Sequence, residues 1–279
     1  MIEKSVADIE ATARHMRVNI VKMIAEAGSG HPGGSLSAAD IVASLYFGGF
    51  MAYDEHDPAS PERDRFILSK GHAAPVLYAA FAEIGYLSED ELLTLRTMGS
   101  RLQGHPDSRK LPGVEVSTGS LGQGLSISAG LALGLRLRAQ EQGGTPRNVF
   151  TLLGDGELEE GQVWEAAMFA AHYRLGNLVA IVDNNGLQID GPIADVAGMT
   201  GIGEKFAAFG WQVIDVDGHD VAALLGALDE AMAQHDAPAC IVAHTVKGKD
   251  VSFMENEAGW HGKAPNAEQT ARALAELEA

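Results

Sequence analysis

Two glycine-containing turns, each directly after an apolar run, constrain the fold of this chain most strongly. The run 149–153 ends in a Gly-Asp-Gly turn that contains Asp155, and the run 178–182 ends in an Asp-Asn-Asn-Gly turn that contains Asn185. The helix-like stretch 158–175 between them completes a strand–helix–strand unit. A right-handed crossover makes such strands parallel, with their carboxyl ends at one edge of the sheet. Asp155 and Asn185 are therefore predicted to face one crevice, where open α/β sheets bind ligands.

The side chains in these two turns have the chemistry of a metal–diphosphate site. A carboxylate at Asp155 and a carboxamide at Asn185 are hard oxygen ligands, which suit Mg²⁺ or Ca²⁺ bridging a diphosphate. Gly154 and Gly156 allow the backbone to approach such a ligand closely. Asp, Gly and Asn are also the commonest turn residues, so either turn alone says little. The pairing of the two turns on consecutive strands is what predicts the site.

Composition and charge narrow the class of protein. The chain has 279 residues, of which 46% are hydrophobic and 21% charged, as in globular proteins that bury a sizeable core. Its net charge of −18 argues against a nucleic acid or an anionic membrane as partner. A phosphorylated ligand must therefore be held by local cations, a metal or backbone dipoles. The single cysteine, Cys240, lies in the apolar run 239–243, which predicts a reduced, structural thiol and a cytoplasmic protein without a signal peptide.

The rest of the chain alternates in the same way between short apolar runs and helix-like stretches. We predict strands at 65–69, 149–153, 178–182, 211–216 and 239–243, and helices over 5–27, about 35–47, from the turn 70–72 to about 84, 118–140, 158–175, 220–234 and 266–279. Ser35 or Ser37 is expected to cap the second helix. A long irregular loop is predicted within 88–116, where such length is usually functional or disordered. The alternation predicts an α/β fold with a doubly wound, mainly parallel sheet.

Polar residues recur in the turns after the predicted strands. His72 follows the strand at 65–69, and His219 follows the strand at 211–216, as Asp155 and Asn185 follow theirs. One such turn would mean little, but several on one sheet edge indicate a site.

With these residues in view, the sequence resembles the thiamine diphosphate-binding half of transketolase over essentially its whole length. Eight motifs in the family's order carry the resemblance, and they lie at 28–33, 69–72, 104–106, 111–115, 118–124, 154–161, 184–191 and 261–265. The resemblance implies that residues 1–265 form a domain that binds diphosphate and metal, with 266–279 as its C-terminal helix.

The resemblance also implies the ligands of the cofactor, thiamine diphosphate, and of its divalent metal, Mg²⁺ or else Ca²⁺ or Mn²⁺. The implied metal ligands are the side chains of Asp155 and Asn185 and the backbone carbonyl of Leu187. The implied cofactor contacts, besides Asn185, are the amide of Gly156 and the side chain of His72 at the diphosphate, with Leu121, Ile189 and the backbone of Gly119 at the rings.

Four catalytic positions follow from the same resemblance. His31, His105 and His261 are expected to contact sugar hydroxyls and shuttle protons, because neutral imidazoles with a pKa near the working pH suit that task. Glu160 is implied to link two cofactor sites across an interface. Without the resemblance, a lone loop histidine is usually a surface residue, and Leu121 and Ile189 would be core residues by default.

Some polar residues keep open interpretations. His219 and His244 have no motif that assigns them, and Lys247 and Lys249 are local cations that could equally be solvated. Asp250 stands where the family commonly has glycine, which puts in doubt a phosphate role for its loop.

The length resembles that of the N-terminal subunit of a split, two-chain transketolase. The resemblance then implies a separate C-terminal subunit as partner, an α2β2 assembly, and transfer of a two-carbon ketol unit from a ketose phosphate to an aldose. The pathway could be the pentose phosphate pathway or a dedicated sugar catabolism. Two alternatives stay open at this point: a subunit of a 2-oxo acid dehydrogenase or deoxyxylulose phosphate synthase, and a non-catalytic cofactor-binding module.

Overall fold

A five-stranded parallel sheet forms the centre of the computed structural model, which describes residues 3–233 and 235–279. Its strands, in the spatial order β1-β2-β3-β7-β6, are β1 (Arg65–Leu68), β2 (Val149–Gly154), β3 (Leu178–Asn184), β6 (Gln212–Asp217) and β7 (Ala239–His244). A separate antiparallel pair consists of β4 (Leu187–Gln188) and β5 (Gly191–Pro192). All neighbouring strands of the large sheet pair in parallel, so their carboxyl ends share one edge.

Helices cover both faces of this sheet. They are α1 (Val6–Ala27), α2 (Pro32–Ser37), α3 (Ala39–Phe47), α4 (Ala74–Ile84), α5 (Glu89–Leu92), α6 (Gln123–Gln142), α7 (Gly161–His172), α8 (Ile193–Val196), α9 (Ile202–Ala208), α10 (Val221–Ala233) and α11 (Ala267–Leu277). Among the described residues, none of these helices combines the length and the apolar character that crossing a bilayer requires.

Alternate residues along the central strands enter two separate cores. Val179 and Ile181 of β3 pack into the core that contains α1, α3, α4 and α10, whereas Ala180 and Val182 pack with α6, α7 and α9. Ala273 of α11 belongs to the first core. A strand buried on both faces must be apolar throughout, which is why these runs are continuous. The doubly wound α/β fold predicted from the sequence is confirmed.

Helix α1 ends where the sequence indicated, and its end directs the chain toward the sheet edge. Ser5 caps the amino end by accepting a hydrogen bond from the Asp8 amide. Gly28 ends the helix with a φ of 62°, a left-handed conformation that glycine adopts without penalty. The turn that follows brings His31 to the carboxyl ends of the strands.

The predicted capping of the second helix is wrong. Ser35 and Ser37 lie inside α2, which begins at Pro32, and neither serine caps a helix. Their hydroxyls donate elsewhere, that of Ser35 to the carbonyl of His31 at 2.7 Å and that of Ser37 to Asp183 at 2.6 Å. Proline is favoured at the first position of a helix, because the N–H group that it lacks would have no partner there. The helix therefore begins at Pro32, before either serine.

Candidate active site

A cleft of about 480 Å³ opens at the carboxyl edge of the sheet. Loops after β1, β2, β3 and β7 line it, together with the turn between α1 and α2. All twelve site residues predicted from the sequence line this cleft: His31, His72, His105, Gly119, Leu121, Asp155, Gly156, Glu160, Asn185, Leu187, Ile189 and His261. Segments far apart in the sequence therefore converge on one place, although their individual roles stay predictions.

The three predicted metal ligands are held by hydrogen bonds in the loops after β2 and β3. Asp155 accepts from the amides of Gly156 at 2.8 Å and Gly186 at 2.5 Å. Asn185 directs its amide nitrogen to Asp183 at 3.3 Å and accepts the Leu187 amide at 3.2 Å on its oxygen. Two oxygen-bearing side chains and a backbone carbonyl group are ligands that suit a hard cation such as Mg²⁺.

Burial destabilises the negatively charged form of Asp155. Desolvation, followed by the negative charge of Asp183, raises its pKa to about 6, although the amides of Gly186 and Gly156 act in the opposite direction. A cation bound at this carboxylate would relieve both unfavourable effects. The electrostatics of Asp155 therefore fit a metal ligand.

A buried ion pair between Lys70 and Asp183 lies next to the predicted metal ligands. Lys70 and Asp183 are both almost completely buried, and the ammonium of Lys70 donates to Asp183 and to the carbonyl of Gly34 at 2.9 Å. The hydroxyls of Ser37 and Thr245 also donate to Asp183. Although burial alone would raise its pKa, Lys70 and the hydroxyl donors lower the pKa of Asp183 below its usual value, so it stays ionised.

Lys247 is a second buried cation, and it points at a predicted metal ligand. Its side chain is buried, with the residue only 2% exposed, and its ammonium donates to the Leu187 carbonyl at 2.7 Å. Burial and the nearby charge of Lys70 lower its pKa to about 8, so it is still mainly protonated at neutral pH. Lys247 is therefore not solvated, whereas Lys249 is partly exposed and pairs with Asp250 at 3.3 Å.

Four histidines of the cleft form a cluster. Ring centroids lie 5.3 Å apart between His31 and His72, 5.5 Å between His31 and His261, and 5.0 Å between His72 and His261. His105 lies 6.3 Å from His31. Nδ1 of His261 is buried and has no hydrogen-bond partner among the described residues.

The pKa values of these imidazoles differ from the sequence-based expectation. Burial, then Arg96, lowers the pKa of His31 to about 4, and burial, then Lys247, lowers that of His261 to about 3. Burial also lowers the pKa of His72 and His105. All four rings are neutral at pH 7, but they are weaker bases than the sequence-based prediction of a pKa near the working pH. An anionic ligand in the cleft would raise these pKa values, because its charge favours the protonated ring.

The apolar predictions also fall in the cleft rather than in the core. Ile189 is 63% exposed, although an isoleucine is ordinarily buried, and Leu121 is half-buried. Gly119 has a φ of 142°, and a Cβ there would lie 2.9 Å from the His105 ring. Glu160 is exposed at the rim as the residue before α7. Exposed apolar side chains in a cleft suit stacking against a ring system.

Two histidines left open by the sequence lie outside the cleft. His219, in the turn after β6, is bonded to Asp40 of α3 and to the Val246 amide in the loop after β7. His244 is at the surface between Asn184 at 3.1 Å and Asp215 at 3.0 Å. The strand-end pattern thus predicted the right edge of the sheet for His219, but not the cleft.

Several charged residues at or near the site were not predicted from the sequence. Lys70 and Asp183 lie in turns that the sequence analysis singled out, but no role was predicted for either residue. Arg96 was missed because it lies in the irregular loop; its guanidinium is 3.4 Å from His31 Nδ1. Glu157 is buried and accepts from the amides of Gly122 at 2.9 Å and Gly154 at 3.1 Å, so its role is to hold two loops together.

A doubly wound parallel sheet with a polar cleft at its carboxyl edge, lined by histidines, carboxylates and two buried lysines, defines an α/β cofactor-binding domain. Its family is equally clear: the family model described as the thiamine diphosphate-binding domain of transketolase matches residues 9–277, so the chain belongs to that family.

Individual relatives agree with this assignment. The 6-deoxy-6-sulfo-D-fructose transketolase subunit of Clostridium sp. (strain MSTE9) is 41% identical over 271 residues, covering 97% of this chain and 96% of the relative. Human transketolase is 45% identical over 255 residues, which are 91% of this chain but 40% of the human protein. A crystal structure of Pichia stipitis transketolase with sedoheptulose 7-phosphate superposes with a TM-score of 0.92 at 32% identity, over 98% of this chain and 41% of that one.

Proposed function

We propose that this chain is the N-terminal subunit of a two-chain transketolase and works together with a separate C-terminal subunit. The reaction would move a two-carbon ketol unit from a ketose phosphate to an aldose. The observation that carries the proposal is the convergence of all twelve predicted residues on one cleft. The near-complete coverage of a relative that is itself named as a subunit supports the two-chain form.

In this proposal the loops after β2 and β3 hold the metal and the diphosphate. Asp155, Asn185 and the Leu187 carbonyl would ligate Mg²⁺, and Lys247 and His72 would face the diphosphate oxygens. Lys247 already bonds to the Leu187 carbonyl, so the diphosphate would draw its ammonium away and leave that carbonyl to the metal. Thiamine diphosphate, when bound, supplies the carbanion chemistry that breaks and forms the carbon–carbon bond.

The chain's own side chains would then position the sugar and move protons. His31, His105 and His261 lie together, so they can hold neighbouring hydroxyl groups in one orientation. A neutral imidazole can accept a hydroxyl proton and return it, and the nearby anionic diphosphate would raise its basicity. Leu121 and Ile189 would cover the cofactor rings and exclude water.

The wider setting follows from the same proposal. The substrates would be sugar phosphates, the metal Mg²⁺, and the assembly two copies of each subunit. The buried free thiol of Cys240 supports a reducing compartment such as the cytoplasm. Lys70 and Lys247 are the lysines that line the cleft, with Arg96 next to His31, and the C-terminal subunit would supply further cations for the substrate phosphate.

The test is ketol transfer from xylulose 5-phosphate to ribose 5-phosphate, or from sedoheptulose 7-phosphate to glyceraldehyde 3-phosphate, with Mg²⁺ and thiamine diphosphate. The chain should be inactive alone and active when mixed with a transketolase C-terminal subunit. Turnover by the chain alone would contradict the two-chain proposal. Inactivity with every donor, in a mixture that binds the cofactor, would contradict the transketolase reaction.

A matched pair of buried carboxylates provides the control. Asp155→Asn should abolish transfer in the mixture, because the metal loses its charged ligand. Asp64 is also buried and bonded to two backbone amides, those of Ala52 at 2.8 Å and Asn148 at 2.7 Å, but it lies outside the cleft. Asp64→Asn should leave transfer within about twofold of wild type.

A further inference from the structure

The loop that carries Lys247 is fixed at both ends by polar residues outside the cleft, the partly buried His219 and the buried Arg17. This loop, residues 245–250, follows β7, and we refer to it as the Lys247 loop. His219 Nε2 accepts a hydrogen bond from the Val246 amide at 2.8 Å. At the other end, Asp250 lies 3.2 Å from the guanidinium of Arg17.

Asp40 joins the two anchoring residues to each other. It accepts from His219 Nδ1 at 2.7 Å and from Arg17 at 2.5 Å and 3.1 Å. Arg17 and Asp40 are only 2% and 6% exposed. Burial pushes the pKa of Asp40 upward, but the hydrogen bond from His219 and the charge of Arg17 push it further downward, so Asp40 is ionised. The three side chains therefore form one connected network, in which Arg17 and Asp40 are buried and His219 is partly buried.

The tautomer of His219 follows from these bonds. Since the Val246 amide can only donate, Nε2 must carry a lone pair, and Nδ1 must carry the hydrogen that Asp40 accepts. Neither Arg17, Asp40 nor His219 lines the cleft. A network of paired side chains that lies next to a site but outside it can hold in place a residue that does line the site.

We propose that Arg17, Asp40 and His219 form a clamp that positions the Lys247 loop, so that the Lys247 ammonium is held toward the cofactor's diphosphate. The inference rests on the proposed function, because it assigns the diphosphate as the ligand of Lys247. His219 is then a positioning residue, and Asp250 completes the clamp where the family commonly has glycine. Its φ of 66° is a left-handed conformation that aspartate tolerates better than most residues.

Two conservative variants separate the two bonds of His219. In His219→Gln the side-chain oxygen can replace Nε2 as the acceptor of the Val246 amide. In His219→Asn the side-chain nitrogen can replace Nδ1 as the donor to Asp40, but the Val246 amide loses its acceptor. His15→Asn is the control, because His15 also pairs with a carboxylate, Glu83 at 2.5 Å, but on α1 and α4.

The first measurement is binding of inorganic diphosphate with Mg²⁺ to the full chain by titration calorimetry. We expect roughly tenfold weaker binding for His219→Asn, and binding within about twofold of wild type for His219→Gln and His15→Asn. In a Lys247→Met background, His219→Asn should cause no further loss, because the effect passes through Lys247. Additive losses would overturn the clamp.

The second measurement needs no ligand. Hydrogen exchange at the Val246 amide should be faster in His219→Asn and unchanged in His219→Gln. Unchanged exchange in His219→Asn, or faster exchange with unaltered diphosphate affinity, would overturn the inference alone. If the wild-type chain bound no diphosphate at all, the proposed function would fall, and the role assigned to Lys247 with it.

Discussion

At the scale of single residues, the cleft combines a buried acid and a buried base whose pKa values have moved toward each other. The pKa of Asp155 is raised to about 6, chiefly by burial, and that of Lys247 is lowered to about 8, also chiefly by burial. Both groups are ionised only between these values. The window brackets neutral pH, which is where a site for a metal diphosphate should work.

We therefore predict a bell-shaped pH dependence for binding of Mg²⁺-diphosphate to the chain. Affinity should fall about tenfold per pH unit below about 6, because Asp155 becomes protonated, and decline again above about 8, because Lys247 loses its charge. Titration calorimetry between pH 5 and pH 9 would measure this. Lys247→Met should remove the alkaline limb and leave the acidic limb, and an alkaline limb that survives this substitution would contradict the assignment.

At the scale of secondary structure, α6 approaches the sheet so closely that one of its positions accepts only glycine. A Cβ at Gly124 would lie 2.8 Å from the Cα of Ser69, next to Lys70 and the cleft. Gly134 in the same helix has nothing within 4 Å of the corresponding point. Close packing therefore requires glycine at position 124 but not at position 134 of the same helix.

Substituting alanine at these positions should change stability in opposite directions. Gly124→Ala is expected to lower the free energy of unfolding by about 1–3 kcal/mol, because the helix must move away from the sheet. Gly134→Ala should raise it by about 1 kcal/mol, because alanine favours the helical backbone. Urea denaturation of both variants measures the difference. Equal effects of the two substitutions would show that α6 is not packed closely at Gly124.

The same scale shows what the sequence can and cannot predict. Strands and helices were predictable, because apolar runs end in turn residues throughout the chain. The edge position of β6 also had a signal, since Asp215 and Asp217 would be costly inside a sheet, whereas β7 is apolar almost throughout. The buried pair of Lys70 and Asp183 had none, because its two charges are far apart in the sequence and become partners only in the fold.

At the scale of the whole molecule, several large apolar side chains of α6 and α7 are exposed to solvent. Leu137 of α6 and Met168 and Phe169 of α7 are 50%, 50% and 38% exposed, and Tyr173 after α7 is 44% exposed. The rings of Phe169 and Tyr173 lie 4.5 Å apart. We call this surface the α6–α7 face. Helix α7 begins directly after Glu160, so a protein covering this face would also reach the rim of the cleft.

We predict that the α6–α7 face is covered by protein in the working assembly, and that the isolated chain therefore self-associates through it. Phe169→Asp should shift the chain toward monomer in sedimentation velocity at micromolar concentration, because a charge would have to be buried in the contact. Met98 is 99% exposed and stands alone in the irregular loop, so Met98→Asp is the matched control and should leave the distribution unchanged. A wild-type chain that stays monomeric under these conditions would contradict the prediction, and equal effects of both substitutions would assign the association to general surface hydrophobicity.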